Sequence, residues 1–202
     1  MYLFKCVVVG VAVSVTCGCD QWLPTLRGGG KRPTAARAAE QGSSEFVALK
    51  QAAERGIARA QYKLGYVYCY GQGVSQDYVE AVKWYRRAAG QGYAEAQCEL
   101  GLVYTNGEGV PRDYVEALKW YRLAAEQGKA SAQFALGHMY KYGHGVPRDS
   151  AEAYAWFSVA AIGGNGYAVK DLDLMAVELT PEQLSKAKKL ATELHEKCRT
   201  RH

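Results

Sequence analysis

The chain has 202 residues, 49% of them hydrophobic, and a formal charge of +5, which suits one globular domain of ordinary size. Its basic residues gather near the ends: Arg27, Lys31, Arg32 and Arg37 early, then Lys186, Lys188, Lys189, Lys197, Arg199 and Arg201 late. Phosphate binding needs a concentrated basic surface, so nucleic acid is not an expected partner.

In chain order, "MYLFKCVVVGVAVSVTCGCD" carries Lys5 and no other charge before Asp20. The apolar run is short for a membrane span, which needs roughly 20 residues, and has the proportions of a secretory signal peptide. Two readings of residues 1–19 stay open: a signal peptide, or a lipoprotein-like leader with Cys19 as the acylated residue. The cleavage motif is poor, and Thr16 stands where a lipoprotein leader carries Leu. A retained anchor or a misassigned start would also account for such a segment. Export (periplasmic, secreted or lipid-anchored) is expected over a cytoplasmic location. Residues 20–42, with "GGGKRPT", read as a flexible linker, with a short helix over Thr34–Gln41. Of the cysteines, Cys6, Cys17 and Cys19 belong to the leader. Cys69 and Cys98 fall at different places in successive repeats and read as part-buried thiols, a bridge between them staying open.

From residue 43 the chain repeats itself every 36 residues. Leu64-Gly65 returns as Leu100-Gly101 and Leu136-Gly137, Tyr68 as Tyr104 and Tyr140, and Trp84 as Trp120 and Trp156. Gly71 and Gly73 return as Gly107/Gly109 and Gly143/Gly145, and Asp77 as Asp113 and Asp149. Such a period marks a stacked repeat protein. Residues 43–57 read as a degenerate half repeat, with full repeats over 58–92, 93–128 and 129–164. Each unit predicts two helices. The first runs from Ala58 to Tyr70, Ala94 to Asn106 and Ser131 to Tyr142. The glycine beside each leucine costs helix stability, about 1 kcal/mol against Ala, and so implies a close helix contact. The loop glycines then end the helix. Asp77, Asp113 and Asp149 cap the second helix, with Glu80, Glu116 and Glu152 three residues on, as in a capping box. Ala81, Trp84, Tyr85 and Ala88 form its buried stripe. The tail, 165–202, predicts capping helices: one over 166–178, then "LTPEQL" with Thr180 as cap and Pro181 in the first turn.

The residues "LG" plus "Y", the loop "G.GV" and "D…A..W…AA..G" closely resemble the Sel1-like repeat family, bacterial type, a relative of the tetratricopeptide repeat. The resemblance implies an all-α, right-handed α/α solenoid and a protein–protein contact role as scaffold or adaptor. It also implies that the first helix of each unit lines an inner face. The cysteine pair that some exported members carry in every unit is absent here. Since packing claims the framework positions, function falls to the variable ones: Tyr62/Cys98/Phe134, Lys63/Glu99/Ala135, Tyr66/Leu102/His138 and Tyr70/Asn106/Tyr142. Tyr66, Tyr70, Leu102, Asn106, His138 and Tyr142 are the candidate contacts for a protein or peptide; Tyr62 reads more as a gap filler between helices. His138 is expected to face solvent or a groove.

Chemistry is sparse. "HEKC" (His195 to Cys198) sets two donors three apart with no second pair to complete a zinc site, and no nucleophile motif is present. No cofactor and no metal are expected, and the chain reads as a non-catalytic scaffold of the cell envelope or beyond it. A cytosolic adaptor and a secreted host-directed effector are compatible with the same pattern. An enzyme or enzyme regulator acting on cell-wall sugar or peptide is a weaker fit.

Overall fold

The computed structural model describes residues 7–8, 11–12 and 35–200. Among the described residues nine helices follow in series, each of the first seven packed on the next and α9 packed back on α7, as an all-α solenoid. They are α1 (Ala35–Glu54), α2 (Ala58–Tyr70), α3 (Tyr78–Gly90), α4 (Ala94–Asn106), α5 (Tyr114–Glu126), α6 (Ala130–Tyr142), α7 (Ser150–Ile162), α8 (Gly166–Glu178) and α9 (Pro181–Arg199). The reading of Cys19 as a lipid site and residues 20–34 of the expected linker lie outside the described residues. Near the start of the chain, β1 (Val7–Val8) pairs antiparallel with β2 (Val11–Ala12). Helix α1 runs without a break across the boundary placed at residue 42, so residues 35–42 are helical and continuous with the half unit.

The helices α2, α4 and α6 are the first helices of the three units, and α3, α5 and α7 the second. The repeated glycine of each first helix lies flat against an aromatic ring of its own second helix. A Cβ added at Gly65 would sit 2.7 Å from the Tyr85 ring, at Gly101 2.5 Å from Tyr121, and at Gly137 2.5 Å from Phe157. The close contact expected from the glycines is therefore real, and the neighbour in contact is a ring. Leu64, Leu100 and Leu136 beside them are fully buried, as are Ala81, Tyr85 and Ala88.

The turn between helices shows why the second helices are capped by half a box. Asp77, Asp113 and Asp149 accept from the backbone N–H of Glu80, Glu116 and Glu152. In a full box the glutamate would reach back to the N–H of the cap. Here that N–H already donates to the carbonyl of Tyr68, Tyr104 or Tyr140 at the end of the first helix, at 2.9–3.0 Å. Glu80 and Glu116 therefore turn to Lys83 and Lys119 instead. Thr180 has no such competitor, and there the box is complete with Gln183.

Units are joined by two polar contacts that recur. The amides of Gln61, Gln97 and Gln133, all buried, donate to the carbonyls of Ala53, Ala89 and Ala125 at 3.1–3.2 Å. Each is a second donor to a carbonyl in the last turn of the preceding helix, which also accepts from the N–H of Gly56, Gly92 or Gly128. Gln91 and Gln127 in turn donate to the side-chain oxygens of Gln61 and Gln97 at 2.7 Å. In the third unit the corresponding residue is Gly163, and Gln133 Oε1 has no partner among the described residues. Cys198, arriving on α9, fills part of this space: its thiol donates to the Ala125 carbonyl at 3.3 Å and lies 3.8 Å from Gln133 Nε2. Gly163 has φ −71, which any residue adopts, and a Cβ there would lie 3.5 Å from Gln133 Oε1 and 3.0 Å from the Ala130 Cβ. Gly163→Gln restores the missing donor. It is expected to raise stability by about 1 kcal/mol in urea unfolding, the new amide reaching Gln133 Oε1 as Gln91 and Gln127 reach Gln61 and Gln97.

The second recurring joint is an arginine of one unit reaching a tyrosine of the next. Arg86 donates to the Tyr104 hydroxyl at 2.6 Å, and Arg122 to that of Tyr140. Ser158 and Ala176 replace this pair after the third unit, so the series of joints ends there.

Candidate functional site

The stacking sets the first helices side by side, with α4 touching α6, so that equivalent residues 36 apart form rows along the stack. The structure adds a fourth member to the rows. Helix α8 has 13 residues, as α2, α4 and α6 do, and docks on α7 as α4 docks on α3. It is a first helix without a second: α9 folds back onto α7 and reaches α5, where Lys197 pairs with Glu126 at 3.0 Å. Sequence reading missed this role because the glycine of the motif is Asp173 here. The signal was present in Ala168, Leu172 and Met175, which repeat Ala132, Leu136 and Met139.

The rows differ in what they expose. Tyr62 packs on Tyr85 and Tyr93, with ring centroids 6.0 and 5.3 Å apart, which is the gap-filling role expected of it. Cys98 and Phe134 in the same row are buried, with Cys98 Sγ 3.3 Å from Ser131 Oγ. In the next row Lys63 is exposed, Glu99 is buried and Ala135 is half-buried. Cys69 is buried as well, and burial, helped by the nearby Glu99 carboxylate, pushes its thiol up to about 12. Cys69, Cys98 and Cys198 are thiols, not disulfides.

Of the six candidate contacts, Tyr70 and Tyr142 are the most open, 38% and 44% exposed. Tyr66, Leu102 and Asn106 are half-buried. The Tyr66 and Tyr70 rings lie 4.3 Å apart, as expected for residues one helical turn apart. The Asn106 amide donates to Glu108 at 3.4 Å, and burial raises the pKa of that carboxyl, the Asn106 bond opposing the shift. Tyr142 lies between two histidines: its ring is parallel to His138 at 5.8 Å and 5.9 Å from His144. His144 also stacks on Tyr114 of the preceding unit at 4.7 Å.

His138 departs from the expectation that it faces solvent or a groove. Its side chain is 15% exposed, because Phe134 and Phe157 pack against it in T-shaped contacts at 4.5 and 5.1 Å and α8 reaches it through Asp171, 3.6 Å from Nε2. The other Asp171 oxygen accepts from Lys141 at 2.9 Å. Burial works most strongly against the Lys141 charge, yet the hydrogen bond and charge of Asp171, with Tyr142 and Glu178, together outweigh it and the net shift is upward.

Among the described residues no three His, Cys, Asp or Glu side chains converge as a metal site. No helix among them is long and apolar enough to cross a membrane.

With this geometry in hand, the Sel1 repeat family matches residues 58–93, 94–129 and 130–165. The chain is similar to the crystal structure of a protective antigen present in uropathogenic Escherichia coli strains and displaying an SLR fold. The TM-score is 0.71 and the identity 33%, over 80% of this chain and 40% of that one. It is also similar to a Sel1 repeat protein from Oxalobacter formigenes, with TM-score 0.63 and identity 35%, over 73% of this chain and 61% of that one. The chain thus spans less than two thirds of either relative. No curated protein sequence matches it.

Proposed function

Since the chain belongs to the Sel1 repeat family, whose members generally act as protein-interaction scaffolds, we propose that it is a non-catalytic scaffold that holds a protein segment along the row of its first helices. The observation that carries this reading is the exposure of Tyr70 and Tyr142 at the same place in two units, on helices whose repeated leucines are fully buried. Large rings with a polar tip, held on a rigid frame, lose little side-chain entropy on binding and bury much area. Tyr66, Leu102 and Asn106 extend the same surface between them, and His138 backs Tyr142 from below. The apolar, weakly charged leader supports export to the envelope or beyond it as the setting of this contact.

One experiment tests both parts. The full chain carrying a C-terminal tag is expressed in its own cells, fractionated, and its mature mass measured together with the proteins cross-linked to it. Loss of the leader, or its lipid modification at Cys19, is expected, and so is one dominant partner. Tyr66→Ala and Tyr142→Ala are each expected to weaken that partner's binding by about tenfold or more. Val115→Ala, at an exposed position on a second helix, leaves it unchanged. A full-length chain in the cytoplasmic fraction overturns the export reading, and equal binding by all variants overturns the binding surface.

A further inference from the structure

We propose that His138 is an acid-sensitive latch: protonation of its ring releases α8 from the third unit. Helix α8 is held by few contacts of its own side chains. Its buried side chains are Ala168 and Met175, and its polar link to α6 runs through one carboxylate, Asp171, which both Lys141 and His138 approach. All three side chains are largely shut off from solvent, at 15%, 15% and 17% exposure for His138, Lys141 and Asp171. Among the described residues neither ring nitrogen of His138 has a hydrogen-bond partner. The neutral imidazole therefore sits in this place as an aromatic ring among Phe134, Phe157 and Tyr142.

An added proton changes that. An imidazolium has two donors to satisfy and a charge to hydrate. The charged groups that face it are Lys141 on its own helix, His144 in the following loop and Asp171 on α8, while α7 presents the Phe157 ring. Asp171 attracts the imidazolium but is already bonded to Lys141, and Lys141 and His144 both repel it. The balance lies with burial, which holds the ring down to about 4 from its ordinary 6.5. With α8 released, the ring edge meets water and takes up a proton near the ordinary value. The sign follows: docking is at full strength above about 6.5 and is lost progressively as pH falls toward 4, because the released state binds the proton first. Between pH 7.5 and 5 the released fraction rises by roughly 10- to 30-fold.

Hydrogen exchange of the full chain, corrected for intrinsic amide rates, tests the latch by comparing pH 7.5 with pH 5. The opening constant of residues 166–178 is expected to rise by that factor while α2 to α4 hold steady. His138→Phe keeps a ring between Phe134 and Phe157 and is expected to abolish the rise; His144→Gln keeps it. Proton NMR of the wild-type chain is expected to show His138 titrating well below 6.5. The latch is overturned by an α8 opening constant that does not change with pH in the wild type, by the same rise in His138→Phe, or by a His138 midpoint at or above 6.5. The wild-type exchange and NMR arms decide the matter even if His138→Phe does not fold.

Discussion

Gly101→Ala unfolds at a temperature roughly 5–10 °C below the unmodified chain. The substitution is favoured by helix propensity alone, by about 1 kcal/mol, so a rise would follow if α4 stood apart. It does not: the new Cβ would lie 2.5 Å from Cδ1 and 2.6 Å from Cε1 of Tyr121. Tyr121 cannot swing aside, because it is 5% exposed and packed among buried side chains. Helix α4 must then move off α5, opening the contact on both sides of an interior unit. Overpacking of this kind costs about 1–3 kcal/mol beyond the propensity gain, and about 2–4 °C accompanies each kcal/mol in a chain of this length. Thermal unfolding followed by circular dichroism measures the drop. The cause is checked by a double-mutant cycle: in Gly101→Ala/Tyr121→Ala the ring is gone, and the two losses are expected to be less than additive. Full additivity would mean that the glycine is kept for a reason other than the ring.

Gly145→Ala is expected to be about as damaging as Gly101→Ala, and Gly73→Ala a much milder change, although Gly145 and Gly73 occupy the same place in the repeat. Both have positive φ, +69 and +73, which costs an alanine about 1 kcal/mol in either loop. Only at Gly145 is there a second penalty. The loop of the third unit rests on the start of α5, so a Cβ at 145 would sit 2.5 Å from the Tyr114 carbonyl oxygen and 2.9 Å from the Val115 nitrogen. Backbone does not yield as a side-chain tip would. Nothing lies within 4 Å of the same point at Gly73. Urea unfolding is expected to show a loss of about 1 kcal/mol for Gly73→Ala and about 3 kcal/mol for Gly145→Ala. Equal losses would mean that the loops do not bear on one another in solution.

These two predictions show how far the repeat pattern reaches. It announced a close helix approach at each glycine of "LG", and the approach is there. It could not tell Gly73 from Gly145, because the difference is whether an earlier unit's second helix lies beneath the loop. The same limit applies to the candidate surface. Position 66 recurs as 102 and 138, and sequence alone treats the three alike. In the folded chain His138 is enclosed by Phe134, Phe157 and Asp171, while its α8 counterpart Leu174 is 60% exposed. The recurring glutamines were equally visible in "AQ", but a polar residue beside an alanine announces nothing until the carbonyl it serves is known.

By itself the sequence determined the period and, from α2 onward, the helices and their ends. These rest on interactions within a few residues: Asp77, Asp113, Asp149 and Thr180 meeting the N–H groups just beyond them, and left-handed glycines closing α2, α4 and α6. Only the tertiary structure decided which side chains of the first helices face out, that α8 stands as a fourth first helix, and that Cys198 occupies the place of a missing glutamine. Those outcomes depend on partners 30 to 73 residues away, such as Gln61 with Gln91, Lys141 with Asp171 and Ala125 with Cys198. Burial belongs to a residue's neighbours in space, and a repeat places chemically different neighbours at equivalent points.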